Sequence, residues 1–386
     1  MKVLNNKLIF KIKKLIYSSK FSSVYEGVNE KRNELVAIKT EERNKQNFLE
    51  AEAFFLFNLK GFGIPKIISF GKNNFYNILV EELLGFSLYH LRNLKKNINM
   101  KIKNTCMIAL QALDRLEYIH SKNIIHRDIK PNNFIISTKN KEVIYLIDFG
   151  FARKYKSSRT GKHIKYRFVK VIFGSLYYLS INGNKGYELS RKDDLESLGY
   201  SLIDLITNYL PWKDEFKINY IHFSERIKEI LKIKELSSAE ILCKGLPEEF
   251  VQYIKYCKNL EFEQDPNYDY LRSLFTSILT KNYLRKDLIF FWINNKIEIE
   301  KESKSFERSN IYKRRQSPQK RLYNKIKTNL EKEKIYKSIF HFKSNLSLEH
   351  INSINISSLD NSDNMDKKYK LIKPKNHINN NKIKIL

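Results

Sequence analysis

The sequence predicts an α+β chain in two parts, a strand-rich lobe over residues 8–84 with one main helix and a helix-rich lobe over 85–295. Three observations lead there. Near the N-terminus, short segments alternate apolar with polar or basic residues, the two-residue period of a half-buried strand. From about residue 100 the apolar positions recur at the spacing of an amphipathic helix instead. Beyond about residue 297 neither pattern continues, and Lys, Asn, Ser and Ile dominate.

The elements follow in order. Leu8 to Ile16 alternates apolar and basic residues and reads as the first strand. Val24 to Val28 and Leu35 to Lys39 are the next two, with turn-forming Asn29 and Asn33 close by. Phe48 to Leu59 is apolar at helical spacing, and Asn77 to Val80 is a further strand. Asn104 to His120 carries Ile108, Leu110, Leu113, Leu116 and Ile119 along a long amphipathic helix. Ile135-Ile136 and Val143 to Ile147 are short apolar strands. Leu195 to Ile206 is a helix, ended by Pro211-Trp212, and helical stretches continue to about Asn295. Residues 301–386 hold 21 Lys and Arg against 8 Asp and Glu, a net of +13. That composition predicts a mostly disordered basic tail over 296–386, with 321–342 as a candidate charged helix.

The whole chain, 386 residues with 71 Lys and Arg against 42 Asp and Glu, carries a formal +29. Such a balance attracts acidic protein segments, nucleic acid or anionic membranes, and says nothing about fold. Cys106, Cys243 and Cys257 are an odd, sparse set without metal-ligand spacing, which argues against a disulfide framework and for a reducing compartment. They read as small buried hydrophobes. No apolar run approaches the roughly 18 residues of a membrane span. Lys7, Lys11, Lys13 and Lys14 interrupt any signal-peptide core. A monomer of the cytoplasm or nucleus is expected.

The densest chemical signal is His126-Arg127-Asp128-Ile129-Lys130-Pro131-Asn132-Asn133. Moving a phosphoryl group needs a carboxylate that orients the acceptor hydroxyl and takes its proton, the role open to Asp128. A cation offsets the charge developing on the transferred group, and Lys130 is placed for it. Mg²⁺ takes hard oxygen ligands. Asn133 offers an amide oxygen and Asp148, in Asp148-Phe149-Gly150, a carboxylate. Either tripeptide alone reads as an ordinary polar loop; both in this order, each beside a short apolar strand, are specific. Val36-Ala37-Ile38-Lys39 adds an alternating strand ending in a lysine suited to the α- and β-phosphates of ATP. That ammonium needs a carboxylate partner. Glu52 is the first candidate and Glu50 the second.

On these motifs the chain resembles the casein kinase 1 family of protein kinases. Further stretches carry the resemblance: Glu117 to Asn123, Phe134 after the first motif, Phe151-Ala152 after the second, and Ser180-Ile181-Asn182. Arg191-Lys192-Asp193-Asp194-Leu195-Glu196-Ser197-Leu198-Gly199-Tyr200 is the most diagnostic. Leu210-Pro211-Trp212, Leu242 to Gly245 and Tyr270-Leu271-Arg272 extend it over about residues 8–295. The resemblance implies the bilobal protein-kinase fold, ATP and Mg²⁺, and transfer of the γ-phosphoryl group to Ser or Thr of protein substrates. It implies that Ile16, Val24 and Ala37 line the nucleotide pocket and that Glu82 and Leu84 hold the adenine edge through backbone groups. It also implies that Asp194 supports the catalytic loop from the helix below. Asp193 and Asp194 read equally as helix caps.

Three departures stand out. The family's phosphate-covering glycines fall at Tyr17, Ser19 and Ser22, which should loosen contact with ATP, partly offset by Ser hydroxyls and Lys20. Glu81 occupies an apolar position at the back of the pocket, where a carboxylate is costly unless it turns away or pairs with a cation such as Lys39. Tyr177 stands where the family has an arginine, and Lys217 to His222 replaces a basic run. Arg159, Lys162, Lys165, Arg167 and Lys170 still make the segment cationic, so acidic substrates are expected. Late in that segment the only Ser or Thr before Ser180 is Ser175, so activity is expected not to need phosphorylation there. Lys313-Arg314-Arg315 and Lys320-Arg321 flank Ser317-Pro318, a candidate import signal or polyanion patch. The alternatives are a nucleotide-binding pseudokinase scaffold, a small-molecule phosphotransferase, which should lack the 191–200 motif, and a nucleic-acid-binding protein, suggested only by charge.

Overall fold

The computed structural model describes residues 10–19, 22–43, 47–72, 75–92, 97–213, 223–282, 284, 287, 289–293 and 384–385. The expectations for Lys20, Lys217 to His222 and the tail, including 313–321 and the helix at 321–342, fall outside them. The chain divides into two compact units, one within residues 10–60 and 65–85, the other within 61–64 and 86–291.

The first unit carries a five-stranded antiparallel sheet, β1 (Phe10–Ser18), β2 (Ser22–Asn29), β3 (Glu34–Glu42), β4 (Ile67–Lys72) and β5 (Tyr76–Glu82), in the order β1-β2-β3-β5-β4. Strand side chains alternate between faces. Val36 and Ile38 of β3 therefore share a face with Ile78 and Val80 of β5, and with Phe10 they form a buried core. Ala37, Lys39, Leu79 and Glu81 take the other face, toward α1 (Phe48–Asn58). The start of α1 is fixed from the sheet: the buried carboxylate of Glu41 on β3 accepts the N–H groups of Phe48 at 3.1 Å and Leu49 at 3.2 Å. A carboxylate there satisfies orphan donors and favours the helix dipole. The alternation pattern does not reveal β4. It is a short edge strand holding Ser69 and Gly71, so its polarity is mixed.

The second unit is mainly helical: α2 (Leu88–Leu91), α3 (Ile98–Ser121), α4 (Ile181–Lys185), α5 (Arg191–Thr207), α6 (Phe223–Leu236), α7 (Ala239–Leu242), α8 (Glu248–Asn259) and α9 (Tyr268–Lys281). Its short strands are β6 (Ile124–Ile125), β7 (Phe134–Ile136), β8 (Ile144–Leu146), β9 (Arg153–Lys154) and β10 (Val171–Ile172). β6 pairs with β9, and β7 with β8. Leu113, Leu116, Leu198, Leu202, Phe250 and Phe275 are buried where α3, α5, α8 and α9 meet. The long helix α3 starts before Asn104 because Asn97 caps it, accepting the Met100 N–H at 2.8 Å. Its exposed first turn, with Ile98 and Met100, hides that start from an apolar pattern. The three cysteines are free and buried, and burial pushes the Cys106 and Cys243 thiols up to about 12. Among the described residues no helix is long and apolar enough to cross a membrane.

Candidate active site

In the first unit the site is built around one buried ammonium. Strand alternation turns Lys39 toward α1, where its Nζ lies 2.6 Å from Glu52 Oε1. Glu81 approaches the same ammonium, its Oε1 at 3.4 Å, so it pairs rather than turning away. All three side chains are buried, where charges persist only when compensated. Glu50 is engaged elsewhere, accepting from Lys72 at 2.8 Å. Val24 is paired with Lys39 across β2 and β3, and Ala37 with Glu81 across β3 and β5. Ile16 sits at a bulge of β1 and is 39% exposed. Glu82 donates its N–H to Lys66 O at 3.1 Å, and its carboxylate accepts the Lys66 N–H at 2.8 Å. The Leu84 N–H makes no hydrogen bond among the described residues.

Between β1 and β2, Ser19 Oγ donates to Ser22 O at 3.2 Å and accepts the Ser22 N–H at 3.1 Å. Ser18 and Ser23 hydroxyls meet at 3.0 Å, and Tyr17 is half exposed. These side-chain to backbone bonds hold Ser19 against Ser22.

In the second unit, the loop between β6 and β7 brings Asp128, Lys130 and Asn133 together. Lys130 Nζ donates to Asp128 Oδ2 at 2.5 Å, and Asn133 Nδ2 donates to Asp128 O at 2.8 Å and to Oδ2 at 3.2 Å. The other oxygen, Asp128 Oδ1, is buried without a hydrogen-bond partner. Burial would raise the Asp128 pKa, but Lys130, with help from Ser175, holds it below the ordinary carboxylate value. Asp128 is therefore an ionised acceptor with one oxygen uncommitted.

The backbone of this loop hangs on Asp194. Its carboxylate accepts His126 N–H at 2.7 Å, Arg127 N–H at 2.8 Å and His120 Nε2 at 3.0 Å. Burial opposes ionisation, yet these bonds, His120 first, keep its pKa below the usual value. Asp193, one position away, takes the capping role: it accepts Ser190 N–H at 2.7 Å and Ser180 Oγ–H at 2.6 Å. The loop is also tied to Asp148. Ile147 donates its N–H to Asn133 O at 2.9 Å, and His126 Nε2 meets Ile147 O at 3.0 Å. Asp148 has a left-handed backbone, φ 69°, and its carboxylate takes no hydrogen bond or ion pair among the described residues.

Among the described residues no group of three or more His, Cys, Asp or Glu gathers to hold a metal by itself. Asn133, whose Nδ2 is committed to Asp128, and Asp148, whose neighbour Ile147 is bonded to the Asn133 backbone, each offer a hard oxygen. That donor set fits a divalent cation such as Mg²⁺ whose remaining ligands are phosphate oxygens and water.

Sequence reasoning missed three supports. Gly174, at φ 99°, lets the chain run against this loop; a Cβ there would press on Arg127 O and lie 3.2 Å from Asp128 Oδ1. Ser175 accepts from Lys130 Nζ at 2.8 Å, so the hydroxyl considered for regulation faces the catalytic loop. Lys234 on α6 is fully buried and donates to Leu176 O at 3.0 Å, Leu179 O at 2.6 Å and Asn184 Oδ1 at 2.7 Å. A lone Phe-Gly-Ser and a lysine within an amphipathic helix carry no signal of such contacts.

The model of the family described as protein kinase domain matches residues 10–284, which takes in the sheet, nearly all of the helical unit and every site residue above. The sheet with its Lys39–Glu52 pair, and the helical unit with its Asp128 loop, are the parts of that fold. The chain belongs to the protein kinase domain family.

Proposed function

We propose that the protein is an ATP-dependent Ser/Thr kinase of the casein kinase 1 type, its catalytic part spanning 8–295 and followed by a basic extension from 296. The observation that carries this reading is Asp128: buried, ionised, with Oδ2 held by Lys130 and Oδ1 uncommitted. That oxygen suits a substrate hydroxyl, orienting it and taking its proton as it attacks the γ-phosphorus. Lys130 lies where negative charge grows on the transferred group. Lys39, fixed by Glu52, grips the α- and β-phosphates, and Glu82 carbonyl and Leu84 N–H receive the adenine edge. Asn133 and Asp148 would hold Mg²⁺, which when bound neutralises the phosphate oxygens.

The substrates we propose are acidic proteins of the cytoplasm or nucleus, because Arg159, Lys162, Lys165 and Lys170 leave the segment before Gly174 cationic. The scaffold reading is favoured by one observation, the glycine-free turn at Tyr17, Ser19 and Ser22. Phosphoamino-acid analysis of an acidic protein incubated with Mg-ATP tests the proposal. Phosphoserine or phosphothreonine is expected; phosphotyrosine alone, or equal rates on acidic and basic peptides, contradicts it.

Two consequences follow from charge. Glu81→Met frees Lys39 from a competing carboxylate and should tighten ATP binding by about three- to tenfold; unchanged nucleotide affinity by titration calorimetry contradicts it. Lys130→Met removes the cation that lowers the Asp128 pKa. Since a depressed carboxylate stays ionised to lower pH, its loss moves the acid limb of the kcat profile upward. An unmoved limb argues against Asp128 as the titrating base.

A further inference from the structure

Glu188, between α4 and α5, is 2% exposed, yet no step above uses it. Arg153 Nη1 bonds both its carboxylate oxygens at 2.9 Å. Arg167 Nε is 3.6 Å from Oε2, and Arg127 Nη1 is 4.0 Å from Oε1. The Glu188 N–H also donates to Arg167 O at 2.9 Å.

The three arginines come from the three segments that frame the chemistry. Arg127 immediately precedes Asp128, and its Nε donates to Phe151 O at 2.6 Å, just beyond Asp148-Phe149-Gly150. Its guanidinium lies over the Phe173 ring at 4.3 Å, next to Gly174. Arg153 lies on β9, paired with the β6 strand that leads into the catalytic loop. Arg167 belongs to the cationic stretch before Gly174. Three guanidinium groups this close, those of Arg127 and Arg153 buried, repel one another unless an anion gathers them. In enzymes switched by phosphorylation, a phosphate on the mobile segment performs that gathering.

We propose that Glu188 is a positioning residue for phosphoryl transfer, a built-in anion that draws Arg127, Arg153 and Arg167 together and so holds the Asp128 and Asp148 loops in working geometry without a phosphate. The role rests on the transfer reading above, while the anion site itself has a separate readout.

Glu188→Gln keeps the shape and removes the charge; kcat should fall about tenfold or more with the KM for ATP within about twofold. Glu188→Ala leaves room for a free anion. Millimolar inorganic phosphate should restore its rate about fivefold and raise its melting temperature by a few degrees, with neither effect on wild type. A wild-type kcat in Glu188→Gln, or a Glu188→Ala protein indifferent to phosphate in both rate and melting, overturns the proposal. If wild type transfers nothing while Glu188→Ala is still stabilised by phosphate, the transfer reading fails and the anion site stands. Should Glu188→Ala not fold, Glu188→Met with Arg153→Met removes the pair together. An unchanged kcat in that folded double variant likewise overturns the role, and a reduced one supports it.

Discussion

Replacing Asp128 by Asn should lower phosphoryl transfer by about a thousandfold while nucleotide affinity stays within about threefold. The asymmetry follows from where the two oxygens sit. Oδ2 is bound by Lys130 and Asn133, whereas Oδ1 is buried and uncommitted. An amide of the same shape keeps the packing but cannot take a proton, and its NH₂ would face either Lys130 or the incoming hydroxyl. Stopped-flow or radiolabel transfer rates, with nucleotide binding followed separately, check both halves. A small loss of rate would mean that Asp128 is structural and that another group handles the proton.

The second large effect is expected at Asp194, which never approaches substrate. Asp194→Ala strips acceptors from two backbone N–H groups and from His120. Each buried donor left alone costs about 1–3 kcal/mol, so the total for the three is on the order of 3–9 kcal/mol. That is a large share of a domain's stability and corresponds to a melting temperature lower by roughly 10 °C. Transfer should fall with it, because His126 and Arg127 carry Asp128. The pH dependence has a definite sign. A carboxylate whose folded pKa is depressed adds stability above its unfolded pKa, near 4, and that stability drains away as pH falls through the folded value. Wild type should therefore lose stability faster than Asp194→Ala on acidification. Parallel melting curves from neutral to acidic pH show whether it does.

These two carboxylates illustrate what the amino-acid sequence makes legible. Asp128, Lys130, Asn133 and Asp148 are readable because phosphoryl transfer demands certain residue types at near-fixed spacing within one or two loops. Glu52 is readable as the partner of Lys39 because a helix follows the strand and needs its carboxylate early. The two-part α+β layout follows from a change of apolar period. What escapes are contacts whose halves lie far apart in the chain. Lys234 meets Leu176 and Leu179 from α6, Glu188 meets Arg127 and Arg153, and Glu41 caps a helix that begins seven residues later. Edge strand β4 and the first turn of α3 escape for another reason. Both are partly exposed, so burial imposes no clean period on them. Ser19 and Ser22, on either side of the β1–β2 turn, show a third limit. Residue type suggested hydroxyls for a ligand, and local geometry turned Ser19 and Ser22 on each other.

Phosphoryl transfer by this protein depends on the Asp128 loop and Asp148 together. The most direct measurement is the transfer of γ-phosphate from Mg-ATP to an acidic phosphoacceptor protein by wild type, Asp128→Asn and Asp148→Asn in parallel. Steady transfer by wild type and loss in both variants, with folded melting curves throughout, is the predicted result. Binding of ATP without transfer by wild type, or transfer that persists in Asp128→Asn, would contradict it.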